Sequence, residues 1–359
     1  MANLLDQRTR YQKLDPSGVG QSVALLPAQL ADGWEAAATV KLPAAWSKSR
    51  SLVIAGMGGS ALGPDVVRAA TANELPVSTT IVNGYDLPAG VGRDTVVLAI
   101  SYSGSTEETL SAAAEARKRH ARLIVMTTGG ALATWARQHR TPLVILPTHN
   151  NPSGQPRLAS GLVMAAELRL LTRLGWLKFT PAAFSRLRSR AALATRAVGI
   201  DVPTQRNWAK RTALDLRGHF ALVIAGEHLT GNAHLLSNQL NETAKMFAVP
   251  FALPELNHHL LEGLTYPASV RTGTAVFLTS RRYSERMATR VALTDKLFRR
   301  QHLSTLTMTV PPGTALEEAV AVIALGSWLS YYGGIANGVK PALIPWVNTF
   351  KRALAAPSH

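Results

Sequence analysis

Ser101, Ser103, Gly104, Ser105 and Thr106 crowd five small residues into six positions, offering hydroxyl and backbone donors with little bulk. They follow an apolar run at 96–100 with the length and β-branched content of a buried strand. Glu107 and Glu108 come next, where the first turn of a helix would begin. A polar turn between a strand end and a helix start leaves backbone N–H groups unpaired at the positive end of the helix dipole. The chemistry suited to it is capture of a phosphate. Ser and Thr are also ordinary helix caps, so one such turn by itself serves either purpose.

A second loop strengthens the phosphate reading. The strand-like 52–55 runs into Gly56, Met57, Gly58, Gly59 and Ser60, and then into the helix-compatible ALGPDVVRAA. Glycines there admit positive φ and close approach of backbone to a ligand, and Ser60 adds a hydroxyl. The dinucleotide fingerprint would need a third glycine where Ala61 stands, and a Walker lysine is absent. Two such loops, each closing a strand, imply one anion held between neighbouring strand ends of a doubly wound sheet.

The elements that must position these loops alternate along the chain. Strands are expected at 51–55, 79–82, 96–100, 122–126 and 142–146, with helices at 62–72, 107–119 and 131–139, the rhythm of a parallel sheet wrapped by helices. Ahead of them, Val23, Leu25, Leu26, Leu30 and Trp34 predict a helix within 21–46 lying outside the first domain. The loop HNNPSGQP at 149–156 delivers Arg157 to a helix at 158–173, and 177–205 reads as helix plus connector. LVIAG at 222–226 then repeats 52–56, and VFLTS at 276–280 is similar to VLAIS at 97–101. This predicts two copies of one domain fold, although a five-residue identity also arises by coincidence. In the second copy Glu227, His228 and Leu229 replace the glycines and Arg281 and Arg282 follow Ser280, so its phosphate machinery is expected to be lost. Helical patterning returns at 229–246 and 315–333, and the tail holds an amphipathic segment at 347–354. The expected organisation is a helical extension 1–47, a first domain 48–165, a helical connector 166–215, a second domain 216–340 and a tail 341–359.

Composition narrows the classes. The 359 residues are 47% hydrophobic and 17% charged, a globular balance with room for two cores. No cysteine occurs, which excludes disulfides, thiolate metal sites and cysteine nucleophiles. The opening MANLLDQRTRYQKLD lacks a continuous apolar core, so neither a secretory signal nor a membrane span is expected there, and a cytoplasmic protein is. The net charge of +16 would attract polyanions and a phosphorylated sugar alike. The basic residues are scattered through 186–196, 281–290 and 296–300 with few aromatics between them and no nucleic-acid motif, so a generally basic surface is expected and nucleic-acid binding is not.

GMGGS at 56–60 with SYSGSTEET at 101–109 resembles the sugar isomerase (SIS) domain family. TTGG at 127–130, Pro156-Arg157, QLNETAK at 239–245, PELNHHLLEG at 254–263 and FKRAL at 350–354 make the chain similar to the bifunctional phosphoglucose/phosphomannose isomerases over roughly 50–354. The resemblance implies two doubly wound, flavodoxin-like SIS domains with parallel sheets flanked by helices. It also implies an aldose-ketose isomerase acting on hexose 6-phosphates through an enediol. Such a reaction needs a base, a group to open the sugar ring and a cation for the enediolate, with no metal or other cofactor.

The roles implied residue by residue are Glu242 as the proton shuttle, His258 as the ring-opening acid, Arg157 on the enediolate and Lys351 near the ring oxygen. Gly58, Gly59, Ser60, Ser101, Ser103 and Thr106 match the phosphate clamp. His259 rivals His258, and in the family this histidine comes from a neighbouring subunit, which implies a homodimer. A helical setting between Leu240 and Phe247 would desolvate Glu242 and raise its pKa; the plain alternative is a solvated glutamate paired with Lys245 or Lys210. This sequence departs from the family at Leu235-Leu236-Ser237, where a basic R-x-K pair is usual, at SGST for SGNT, at LNETAK for LNENAK, and at Ile344, where threonine is frequent. Those departures leave a second reading, a weakly active or inactive sugar-phosphate-binding regulator on the same scaffold.

Overall fold

The computed structural model describes residues 4–354; residues 1–3 and 355–359, at the outer ends of the expected extension and tail, lie outside the described residues. Three helices open the chain: α1 (Arg8–Leu14), α2 (Val19–Ala24) and α3 (Leu26–Ala36). The first sheet follows as β1 (Ser51–Gly56), α4 (Gly59–Ala70), β2 (Ser78–Val82), β3 (Thr95–Ser101), α5 (Glu107–Lys118), β4 (Arg122–Thr127), α6 (Gly130–Gln138) and β5 (Leu143–Ile145). Helices α7 (Ser160–Arg173), α8 (Pro181–Ala197) and α9 (Trp208–Asp215) lead to the second. It comprises β6 (Phe220–Gly226), α10 (Thr230–Gln239), β7 (Ala248–Leu253), α11 (Leu260–Gly263), β8 (Gly273–Thr279), α12 (Glu285–Arg300) and β9 (Ser304–Thr309), and α13 (Ala315–Ala336) and α14 (Pro345–Leu354) close the chain.

Both sheets are parallel. Their strand orders, β2-β1-β3-β4-β5 and β7-β6-β8-β9, are the same path with the fifth strand missing from the second. The LVIAG repeats fall on equivalent central strands, β1 and β6. The strands expected in the first half form where their apolar runs stand, each within a residue or so of the expected ends. Burial explains why those runs are nearly continuous. Leu52 and Ile54 face one core while Val53 and Ala55 face another, built with Ala112, Ala113 and Ala116 of α5.

The inner core continues from the first sheet through α4, α7, α10 and α13 to the second. Helix α13 is long and apolar enough to span a membrane, yet 94% of its apolar window is buried here, as the central core helix. The helix expected within 21–46 is corrected. Two helices meet at Leu25, with Pro27 in the first turn of α3, and α3 lies along α7 with Leu26, Leu30 and Trp34 buried in the shared core. Its apolar stripe identified a face to be covered and carried no information about what covers it.

Candidate active site

The turn after β3 is built from its own hydroxyls. Ser101 Oγ lies 2.8 Å from Thr106 Oγ1 and accepts from Gly104 N at 3.0 Å, and Thr106 stands at the N-cap of α5. The first N–H groups of α5 therefore point out of a rim of small side chains, as an anion site requires. Gly104, at φ 70°, is irreplaceable by geometry: a Cβ there would stand 1.9 Å from Gly129 O, so the TTGG turn after β4 packs directly on this loop. Ser103 and Ser105 remain exposed.

Ser60 joins this turn to the glycine loop after β1. Its buried Oγ accepts from Tyr102 N at 2.9 Å, which leaves its O–H as a donor. Tyr102, whose sequence context carries no signal of a role, is the knot of the region. Its carbonyl accepts from Thr128 Oγ1 at 2.6 Å and its hydroxyl from Asn151 Nδ2 at 2.9 Å, and burial pushes the phenol upward against the pull of Asn151. Gly58 adopts φ 49° with open space beside it, whereas a Cβ on Gly59 would lie 2.5 Å from Arg157 N. That close approach seats the glycine loop against the segment carrying Arg157.

Arg157 is 1% exposed and all three of its nitrogens bond to protein. Nε donates to Thr243 Oγ1 at 3.0 Å, and Nη1 to Gln155 Oε1 at 2.7 Å and Glu242 Oε2 at 3.2 Å. Nη2 donates to the carbonyls of Pro341 at 2.8 Å and Ala342 at 3.2 Å. Burial lowers its pKa from the ordinary value and the Glu242 carboxylate opposes that. The guanidinium fork thus ties the first sheet's loops to two segments of the second half.

Glu242 does not sit on the regular helix expected at 229–246. Helix α10 ends at Gln239 and a π-turn, Leu240–Ala244, carries the carboxylate; wide turns of this kind concentrate at functional sites. The turn rests on α13, where a Cβ on Gly334 would come within 2.6 Å of Thr243 O. Gln239 Nε2 ties it to the carbonyl of Arg157 at 3.0 Å. The Glu242 side chain is 31% exposed and its ion-pair partner is Arg157, neither of the lysines weighed from sequence. Lys210 is buried on Asp6, and Lys245 Nζ reaches the Glu242 carbonyl rather than its carboxylate.

Lys351 lies on α14, where it lines a cavity of about 250 Å³ together with Ser103, Thr106, Glu107 and Phe350. The helix thus overhangs the turn after β3. Of the four proposed catalytic side chains, Arg157 and Glu242 are in contact, Lys351 lies against the turn after β3, and His258 stands apart from all three. It is exposed at the end of a short turn, Glu255–His258, beyond β7, with no bond to the other site residues, and His259 pairs with Glu255 at 2.8 Å. Leu235, Leu236 and Ser237, where the family carries its basic pair, are all buried inside α10.

The description "SIS domain" matches residues 47–165, and "Bacterial phospho-glucose isomerase C-terminal SIS domain" matches residues 205–354. A bifunctional phosphoglucose/phosphomannose isomerase of Caldicellulosiruptor bescii is 28% identical over 93% of this chain and 98% of its own length. One of Thermoplasma volcanium is 27% identical over 86% and 92%. Among solved structures, a hypothetical protein from Thermus thermophilus superposes with a TM-score of 0.74 at 19% identity, covering 98% of this chain and 94% of that one, a likeness of fold. The chain therefore carries two SIS domains, the second of the bacterial phosphoglucose isomerase type, and is a homologue of the bifunctional phosphoglucose/phosphomannose isomerases.

Proposed function

We propose that this chain interconverts glucose 6-phosphate or mannose 6-phosphate with fructose 6-phosphate through an enediol, as the names of its homologues suggest. The observation that carries the reading is the Glu242–Arg157 pair at 3.2 Å beside the Gly58–Gly59–Ser60 loop, a carboxylate from one half of the chain poised over the anion loops of the other. The phosphate sits on Gly58, Gly59, Ser60, Ser101, Ser103 and Thr106, with the carbon chain directed toward Arg157. Glu242 removes the proton from C2 of the open aldose as the C1 carbonyl oxygen becomes the enediolate oxygen, then returns it to C1 as the C2 hydroxyl passes its proton to the C1 oxygen and becomes the ketone, leaving a hydroxyl on C1. Hydrogens and electrons balance within the sugar.

Protonation of Glu242 in that first step weakens its bond to Arg157 Nη1 and turns this donor toward the enediolate, while the other guanidinium bonds hold the plane fixed. Lys351 approaches the ring oxygen from α14. A second copy of the chain brings His258 to the ring, making the active unit a homodimer with shared sites, and the enzyme works in the cytoplasm, where phosphorylated hexoses are made and retained.

A coupled assay of the purified protein with the three sugar phosphates tests the activity, and chelator should leave the rate unchanged. Tight binding without turnover of any of them would contradict the proposal and restore the regulator reading. Sharing is tested by mixing inactive Glu242→Gln and His258→Ala proteins after reversible dissociation. Random pairing of shared-site dimers regenerates about a quarter of the parental activity, whereas self-contained subunits regenerate none.

A further inference from the structure

The π-turn ends at Lys245, a residue with a full side chain held in the left-handed region at φ 53°. Conformations of this kind persist only where the surroundings over-determine them. Here the ammonium does so: Nζ donates to the Glu242 carbonyl at 2.6 Å and to the Pro341 carbonyl at 3.1 Å. The same Pro341 carbonyl accepts from Arg157 Nη2. Two cations therefore grip the backbone just ahead of α14, which begins at Pro345. That helix has little else to locate it, since Trp346 is 84% and Phe350 65% exposed.

We propose that Lys245, while protonated, is a positioning residue that ties the Glu242 turn to the root of α14 and so sets the spacing of Glu242 and Lys351 across the substrate. This rests on the roles given to those two residues above. The charged groups facing Lys245 are Arg157 and, on its own turn, Glu242. Helix α13 presents Gly333, Gly334 and Asn337 to the turn, Asn241 flanks it, and Lys340 beside Pro341 is exposed. Burial first, then the Arg157 guanidinium, lower the ammonium to about 8 against a smaller upward pull from Glu242. Below that pH the tie carries a full charge; above it a neutral amine holds the two carbonyls without charge assistance.

The test uses the full chain and its Lys245→Arg and Lys245→Met variants. With fructose 6-phosphate as substrate, the parent's kcat should fall about a hundredfold on an alkaline limb centred near pH 8, the loss that follows from a misplacement of about 1 Å. Lys245→Arg should keep the acid-side rate and move that limb above pH 10. Lys245→Met should show the low rate throughout with no limb and little change in KM. A limb near pH 8 that survives in both variants, or a Lys245→Met rate equal to the parent's, overturns the proposal.

Because the chain has no cysteine, Asn348→Cys gives a unique attachment point for a fluorophore on α14. Its anisotropy should drop with a midpoint near pH 8 in the parent background and stay level to pH 10 with Lys245→Arg. This readout needs no turnover. If no sugar phosphate is isomerised, the functional reading fails while the tie is still judged, and an anisotropy independent of pH in the parent rejects the tie itself.

Discussion

The two sheets end their central strands in the same device and use it oppositely. In the first, β3 ends at Ser101 and Thr106 stands at the N-cap of α5 without a capping bond from its side chain; in the second, Ser280 follows β8 and Ser284 caps α12, one residue closer. A backbone N–H folds back onto the serine oxygen in both, Gly104 N at 3.0 Å and Arg282 N at 2.8 Å. In the second sheet, however, the protein's own carboxylates occupy the donors. Glu227 accepts from Ser284 N at 3.2 Å and Ser284 Oγ at 2.6 Å. Glu318, fully buried, accepts from Ser280 Oγ at 2.5 Å and Gly313 N at 3.2 Å and lies 2.8 Å from His228 Nε2. Among the described residues no carboxylate bonds the corresponding hydroxyls of Ser101 and Thr106, which bond to each other. One scaffold thus fills this position with its own carboxylates, and the other leaves its hydroxyls bonded only to their own turn, as the proposed phosphate site needs.

Substitutions that interrupt either use sharpen the contrast. The largest effect belongs to Arg157→Lys, which keeps the charge but cannot reach Thr243, Gln155, Glu242 and the 341–342 carbonyls together. Turnover should fall by about a thousandfold, in the range lost when a charge-stabilising donor is removed, with measurable sugar-phosphate binding retained. Glu318→Ala comes next. It strands His228, Ser280 and Gly313 N, so denaturant unfolding should register a loss of about 3 kcal/mol. Millimolar inorganic phosphate should restore part of that stability by occupying the vacated donors, while KM for the sugar stays at its parental value. Failure of phosphate to rescue this variant would mean that the second sheet never resembled an anion site.

Smaller still is the matched pair Ser101→Ala and Ser280→Ala. The first should weaken substrate affinity about tenfold, the worth of one hydrogen bond to a charged group, with modest change in melting. The second should cost about 1–2 kcal/mol of stability and leave affinity untouched. Reversed outcomes would reverse the assignment of the two sheets.

Much of this contrast was legible from residues alone. Buried parallel strands announce themselves as short β-branched runs, and the glycine and serine clusters that end them mark where a strand gives way to a helix. The replacement of the glycines by Glu227 and His228 also pointed to a lost phosphate site. That Glu318, ninety residues downstream on α13, bonds both Ser280 and His228 is a tertiary fact with no local signal. Glu242 shows the same limit. Its surroundings read as an ordinary helix, and only the family resemblance singled it out. The π-turn that presents it arises from close seating on Gly334 and from the bonds of Arg157, contacts made between segments far apart in the chain. Tyr102 and Lys245 carry no local signal either, since Tyr102 bonds Thr128 and Asn151 and Lys245 bonds the Pro341 carbonyl, all on segments remote in the chain.

The central claim is that a sugar phosphate anchored on the first sheet presents its C1 and C2 carbons to Glu242 of the second half. It is tested most directly by incubating the protein with glucose 6-phosphate in deuterium oxide and following deuterium at C1 and C2 by NMR. The account predicts deuterium entering the sugar in step with isomerisation, and a loss of both by about a thousandfold in Glu242→Gln while sugar-phosphate binding persists. Exchange and turnover undiminished in Glu242→Gln would contradict it.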